Sequence, residues 1–246
     1  MTNEYSISEL PLRARFTYLA HAFKAVYKQH HLGMLPMFER LIPENGIVLD
    51  VGGHAGQFAK LFAKVASNGH VYSFEPGRYA RSILRRSLAR NSRSNTTIVP
   101  EGLGDSIGEI DLVVPVKKNG VVKYGVSHMG EVGEYADVKI ESVHINTIDD
   151  FVRQQELPKL DFIKADIEGW EQRMVLGGEQ SIRKYMPVIM IEMVDHQLSR
   201  AGDSLNGFWE LLVAWGYAPF LSTGDAIKPL EKLEVITSGD VIWIAE

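Results

Sequence analysis

Apolar and polar positions along the chain switch repeatedly between two periods. Residues 47–51 form a short β-branched run that stops at Gly52-Gly53, and Phe58, Leu61, Phe62 and Val65 then recur at helical spacing. The same change occurs at 70–74, followed by a helix over 78–91 that buries Ala80, Ile83, Leu84 and Leu88. Its arginines, Arg78, Arg81, Arg85, Arg86 and Arg90, lie elsewhere on that helix and read as a solvated face. Further strands are predicted at 96–99, 160–165 and 188–193, and a helix over 205–215 ends at Gly216. Thr147 and Asp150 resemble a capping box, with Ile148, Phe151 and Val152 facing inward. The strands 217–221 and 241–245 suit an edge hairpin. Strands alternating with helices predict an α/β fold on a mostly parallel sheet.

Two regions depart from that rhythm. Helices are expected over 13–32, with Phe16, Leu19, Ala20, Phe23, Val26 and Tyr27 on one face, and over 34–41. Residues 1–45 thus form an N-terminal helical extension packed on a domain of 46–246. Adjacent His30 and His31 diverge around a helix and read as surface or capping residues. Between 107 and 146 the helical period disappears, which predicts an inserted β-hairpin where a crossover helix would otherwise stand. Such inserts commonly hold substrate, and Tyr124, Ser127 and His128 are its candidates for contact.

The turn after the first strand carries the first chemical signal. It reads Asp50-Val-Gly-Gly-His-Ala-Gly56, and G-x-G-x-x-G cannot be laid on it because His54 and Gln57 occupy two of the required positions. No P-loop is present either. An acid directly before the glycines repels a pyrophosphate and suits an ammonium group, which points to S-adenosylmethionine over a dinucleotide. Glu75 ends the second strand, where a carboxylate accepts hydrogen bonds from ribose hydroxyls. At the third strand's end, Asp105 is suited to accept from an adenine amino group while Leu103 packs on the ring.

Composition narrows the class further. With no cysteine in 246 residues, neither a disulfide framework nor a Cys-ligated zinc is possible, which fits a cytoplasmic protein. Neither a signal peptide nor a membrane-spanning run is expected. A net charge of −5 argues against a nucleic-acid partner. The expected partner is a small-molecule or glycan acceptor.

Taken together, Asp50 to Gly56, Phe74-Glu75-Pro76, Gly104-Asp105, Thr147 to Phe151 and Asp161 to Glu171 resemble the FkbM family of class I, Rossmann-like S-adenosylmethionine-dependent methyltransferases. Glu192 with His196, and Trp215-Gly-Tyr217, are similar to that pattern too. The resemblance covers about residues 45 to 220 and departs from the family at Ala165 and Trp170; a tryptophan there is expected to reshape the pocket. It implies a seven-stranded sheet ordered 3-2-1-4-5-7-6, with helices on both faces, and methyl transfer to an oxygen of a sugar or secondary metabolite. The implied cofactor residues are Asp50, Gly52, Gly53, His54, Gly56, Glu75, Pro76, Leu103, Gly104 and Asp105.

For the chemical step, Asp166 ends the fourth core strand beside the glycine turn and is the first candidate to take the acceptor's proton or align its oxygen. Glu168 and His196 are the others, histidine having the more suitable ordinary pKa. Alternatively, Asp166 and Glu192, with or without His196, hold a divalent metal, or Asp166 only fixes the loop or the cofactor's amino group. A methyltransferase of RNA or protein, and a methyltransferase-like binding protein without turnover, stay open because fold does not fix function.

Overall fold

The computed structural model describes residues 7–91, 94–116, 122, 128–129, 137–231, 233 and 240–246. Helices α1 (Leu12–Tyr27) and α2 (Leu35–Leu41) precede β1 (Ile47–Val51), α3 (Gln57–Val65), β2 (His70–Phe74), α4 (Arg78–Asn91) and β3 (Thr96–Val99). Next come β4 (Gly102–Leu103), β5 (Gly108–Pro115), β6 (His128–Met129), β7 (Val138–Asn146) and α5 (Ile148–Gln154). The chain continues through β8 (Phe162–Ala165), α6 (Glu171–Leu176), α7 (Glu179–Tyr185), β9 (Val188–Glu192) and α8 (Asp195–Arg200). It ends with α9 (Leu205–Ala214), β10 (Tyr217–Ser222), β11 (Ile227–Pro229) and β12 (Asp240–Ala245).

The main sheet runs β11-β10-β12-β9-β8-β1-β2-β3, parallel from β3 to β9 and antiparallel beyond. Without β11 this is the expected order 3-2-1-4-5-7-6. The short β11 makes an eighth strand, and β12 lies between β9 and β10, so the expected edge hairpin is internal. Chain direction away from β1 reverses between β2 and β8, the kind of switch point at which open α/β sheets bind ligands. Val51 is in register with both Phe74 and Ala165, so three strands end level and release Gly52, Glu75 and Asp166 at one edge.

Packing explains why β1 and β8 lack polar–apolar alternation. Val48 and Phe162 face Phe38 and Phe62 of α2 and α3, while Leu49, Val51, Ile163 and Ala165 face the core under α5, α6 and α9. Both faces are covered, as in buried parallel strands. The exception is a polar row across three strands, Ser73–Asp50–Lys164, all buried on the α3 side.

The insert forms more than a hairpin. β5 and β7 pair antiparallel over eight residue pairs, and β4 and β6 extend them to a second sheet ordered β4-β7-β5-β6. Thr147 caps α5 as expected, its hydroxyl accepting from the Asp150 N–H at 3.1 Å. The apolar face expected on α1 points outward instead. Phe16, Leu19, Phe23 and Tyr27 are exposed, and the helix packs through Ala14, Tyr18, Ala22 and Ala25. These mostly small residues let α1 sit close to α4, where Tyr18 and Ser82 share a 2.9 Å hydrogen bond and the Ser87 hydroxyl donates to the Ala25 carbonyl. Arg81 corrects the solvated-face reading of α4, because it is buried and donates to the Glu75 carbonyl at 2.9 Å.

Candidate active site

A cavity of about 370 Å³ opens over the carboxyl ends of β1, β2, β8 and β9. One wall is the turn after β1, where Gly52 has φ +82 and a Cβ would stand 2.1 Å from the Asp166 carbonyl oxygen. Only glycine lets the ends of β1 and β8 approach this closely. The Gly52 and Gly53 amides both donate to the Phe74 carbonyl, tying the turn to β2. His54 follows at φ +47, and Glu168 on the opposite wall has φ +58. Two non-glycine residues in left-handed backbone at one cavity are the kind of strain that clusters at functional sites.

Glu75 is buried at the end of β2 and still lines the cavity. One carboxylate oxygen accepts from the His54 N–H and the other from the Gly77 N–H, each at 2.9 Å. Burial pushes its pKa up to about 7 despite those two donors. Asp50, behind the turn, accepts from the Ser73 hydroxyl at 2.7 Å, while its other carboxylate oxygen is buried without a hydrogen-bond partner. Burial raises its pKa as well, with Lys164 and Ser73 opposing. His54 is held down at about 4 by burial, so its ring is neutral.

The second half of the site gathers at the ends of β8 and β9. Lys164 Nζ lies 3.4 Å from Asp166 Oδ2, and the side chains are 2% and 42% exposed respectively. The ammonium therefore stands behind a carboxylate that opens to the cavity, and it also lies 4.9 Å from the Phe58 ring centre. The charge of Lys164 holds Asp166 below the ordinary carboxylate range against the effect of its burial. Glu192 is hydrogen-bonded to Asp166, and burial together with that neighbouring negative charge pushes it up to about 7. One carboxylate held ionised beside one poised near neutrality is an acid–base arrangement.

Of the candidate site residues singled out in the sequence, Gly52, Gly53, His54, Glu75, Pro76, Asp166, Glu168 and Glu192 line this cavity. Asp50 supports it from beneath, and Gly56 caps α3 at φ +75. Leu103, Gly104 and Asp105 are not brought to it. Leu103 is wholly buried in the main core, Gly104 packs against Ile145 and Trp170, and Asp105 lies 3.5 Å from Arg173 on another face. β4 carries this segment away to pair with β7, so it leaves the cavity edge. His196 is exposed on α8 and does not line the cavity. Among the described residues no group of three or more His, Asp or Glu side chains could hold a metal, so the Asp166–Glu192–His196 cluster does not form. Trp170 stands outside the cavity too, with the Arg173 guanidinium 5.2 Å from its ring centre. Tyr124 and Ser127 lie outside the described residues, as does the side chain of His128.

The structure adds residues that the sequence reading passed over. Lys164 was visible as a lone cation in an apolar strand, a placement that demands a buried counter-charge. His31 corrects the reading of a surface or capping residue: α1 ends at Tyr27, and His31 lines the cavity and stacks on Phe58 at 4.4 Å between ring centres. Tyr79 lines it from α4, and Leu112, Val114 and Glu141 do so from the inserted sheet. No local pattern marks these last positions, because chain topology brings them there.

Residues 50–219 match the family described as the methyltransferase FkbM domain. The methyltransferase sdnD of Sordaria araneosa is 24% identical over 214 residues, covering 76% of this chain and 77% of its own. The 2-O-methyltransferase NoeI of Sinorhizobium fredii is 23% identical over 193 residues, covering 74% and 76%. Among solved structures, a methyltransferase FkbM from Methylobacillus flagellatus matches with a TM-score of 0.50 at 14% identity. That match covers 93% of this chain, which spans 59% of the length of the other.

Proposed function

The chain belongs to the FkbM family of S-adenosylmethionine-dependent methyltransferases, and on that premise we propose that it methylates a hydroxyl of a sugar or secondary metabolite. The observation that carries this reading is the division of one cavity into two chemically different ends. At one end a buried acceptor, Glu75, faces a glycine turn; at the other, Asp166 is paired with buried Lys164 and hydrogen-bonded to Glu192.

The residues present fit the cofactor. Glu75 has the lone pairs to receive two ribose hydroxyls, and Asp50 has a buried carboxylate oxygen without a partner beneath the turn. Gly52, Gly53, His54 and Pro76 would hold it with them. S-adenosylmethionine supplies a methyl group on a positively charged sulfur, open to displacement by a nucleophilic oxygen. The protein's own part is to hold the acceptor hydroxyl and take its proton. Asp166, kept ionised by Lys164, accepts a hydrogen bond from the acceptor and aligns it; Glu192 receives the proton as the oxygen–carbon bond forms. Glu168 lines the same end, and burial raises its pKa, so it is the reserve candidate for that proton. Leu112, Val114 and Glu141 of the inserted sheet line the cavity too, with Leu112 against Gly77 and Glu141 accepting from the Arg78 N–H, beside Glu75. The N-terminal extension contributes His31 to the cavity wall, and residues 46–246 are read as the methyltransferase domain.

The test is incubation with methyl-labelled S-adenosylmethionine and a panel of free sugars, glycans and hydroxylated metabolites, with the product's linkage read by mass spectrometry and NMR. A methyl ether is expected. Transfer only to nitrogen, RNA or protein, or preferential binding of NAD by calorimetry, would overturn the reading.

A further inference from the structure

Helix α1 exposes the residues that a helix normally buries. Leu12, Phe16, Leu19, Phe23 and Tyr27 lie along one face at i, i+4, i+7, i+11 and i+15. They are 71%, 73%, 53%, 64% and 61% exposed, and Phe23 and Tyr27 pack ring to ring at 4.6 Å. Five large apolar side chains over a helix about 24 Å long form a continuous stripe, where monomers ordinarily scatter such residues singly.

The charge around the stripe says what covers it. The chain carries a net −5, yet α1 and α4 together contain no acidic residue. They contain Arg13, Arg15 and Lys24, and Arg78, Arg81, Arg85, Arg86 and Arg90, with Lys28 directly after α1. Two of the arginines meet the tyrosines of α1: Arg86 lies 5.2 Å from the ring centre of Tyr18, and Arg90 lies 5.9 Å from that of Tyr27. Apart from Arg81, which is buried, these basic groups lie with the apolar stripe on the α1–α4 surface, Arg86 and Arg90 directly against it, in a protein that is otherwise acidic on balance.

We infer that the α1–α4 face docks on an anionic lipid surface, with α1 lying in the interfacial plane. An apolar, aromatic-bearing helical face flanked by Lys and Arg is the chemistry by which helices bind such surfaces without crossing them. No described helix is long and apolar enough to cross a membrane, and the cations along α1 oppose insertion. A second copy of this chain is a poorer occupant. A two-fold interface sets a patch against itself and would bring the arginine rims together with no carboxylate from either helix between them.

Co-sedimentation of the full chain with vesicles tests this, comparing phosphatidylcholine alone with phosphatidylcholine containing about one third phosphatidylglycerol. Binding to the anionic vesicles at least ~10-fold above the neutral ones is expected at about 0.1 M salt, falling steeply by about 0.5 M. The exposed-face variant Phe16→Ser/Phe23→Ser and the rim variant Arg86→Glu/Arg90→Glu should each lose most of that binding while unfolding at the parent temperature. Equal binding to both vesicle types, or to neither, overturns the inference. So does a concentration-dependent dimer in sedimentation velocity that Phe16→Ser/Phe23→Ser abolishes, since that assigns the face to a second copy.

Discussion

Replacing Glu192 with glutamine separates the two carboxylates at the acceptor end of the cavity. Burial and the charge of Asp166 push Glu192 up to about 7, whereas Lys164 holds Asp166 below the ordinary range. With a value near 7, roughly a tenth of Glu192 is ionised at about pH 6 and nine-tenths at about pH 8, so a rate that depends on it rises ~10-fold across that interval. Glutamine cannot take a proton, so the rate should fall ~100-fold or more and lose that rise. Asp166→Asn has a different signature. It removes the negative charge that raises Glu192, so the rising limb should move to lower pH while the maximum rate falls through loss of alignment. The assay is single-turnover methyl transfer between about pH 5.5 and 9 with saturating acceptor, over the range where such carboxylates titrate. Calorimetry with S-adenosylhomocysteine checks that donor binding survives. A Glu192→Gln enzyme that keeps the pH rise refutes the assignment and moves the base to another group, Glu168 first.

Other substitutions probe the rest of the cavity. Glu75→Ala should weaken binding of S-adenosylhomocysteine by about 1.5–3 kcal/mol, the scale of hydrogen bonds to a charged group, and an unchanged dissociation constant would remove Glu75 from the cofactor site. Lys164→Met leaves Asp50 buried and Asp166 without its cation. A stability loss of about 2–3 kcal/mol in urea is expected, below the fully buried range because Asp166 opens to the cavity; wild-type stability would contradict the pairing. Glu171 is buried, accepts from the Ile167 N–H at 2.8 Å, and is pushed by burial from 4.5 up to about 7. Its ionisation therefore costs the folded state progressively as pH rises from 4.5 through 7. Glu171→Gln should be near neutral at about pH 5 and stabilising by up to about 3 kcal/mol at about pH 8; a gain that does not grow with pH refutes this.

Most of the fold was legible because its signals are local. The period change at Gly52 marks β1 to the residue and the apolar face of α3, and the same contrast marks β2, α4 and β3. Elements whose identity rests on distant pairing were not legible. β4 is two residues long and exists only because β7 passes beside it. β11 is three residues long and needs β10. The orientation of α1 failed for a related reason. Periodicity finds a helix's apolar face, yet small Ala14, Ala22 and Ala25 allow a closer approach to α4 than Phe16 or Phe23 would.

Legibility of the site follows the same division. The cofactor end is encoded in two short stretches, Asp50 to Gly56 and Phe74 to Pro76, because a tight turn at a strand end needs glycine and a ribose needs an acceptor at fixed depth. The expectation for Leu103 to Asp105 assumed that the third strand also ends at the cavity, and the pairing of β4 with β7 takes that segment elsewhere. The acceptor end depends on register. Asp50 pairs with Lys164 across β1 and β8, so a cation in β8 lies between the buried acid of β1 and the open acid at position 166. Without that cation, burial and mutual repulsion would keep Asp50, Asp166 and Glu192 from being ionised together at one sheet edge. Lys164 lets Asp166 keep its charge, and Asp166 in turn lifts Glu192 toward neutrality. The reactive value of Glu192 thus rests first on its burial and then on the charge of Asp166 at the end of the neighbouring strand, and no motif of consecutive residues can state it.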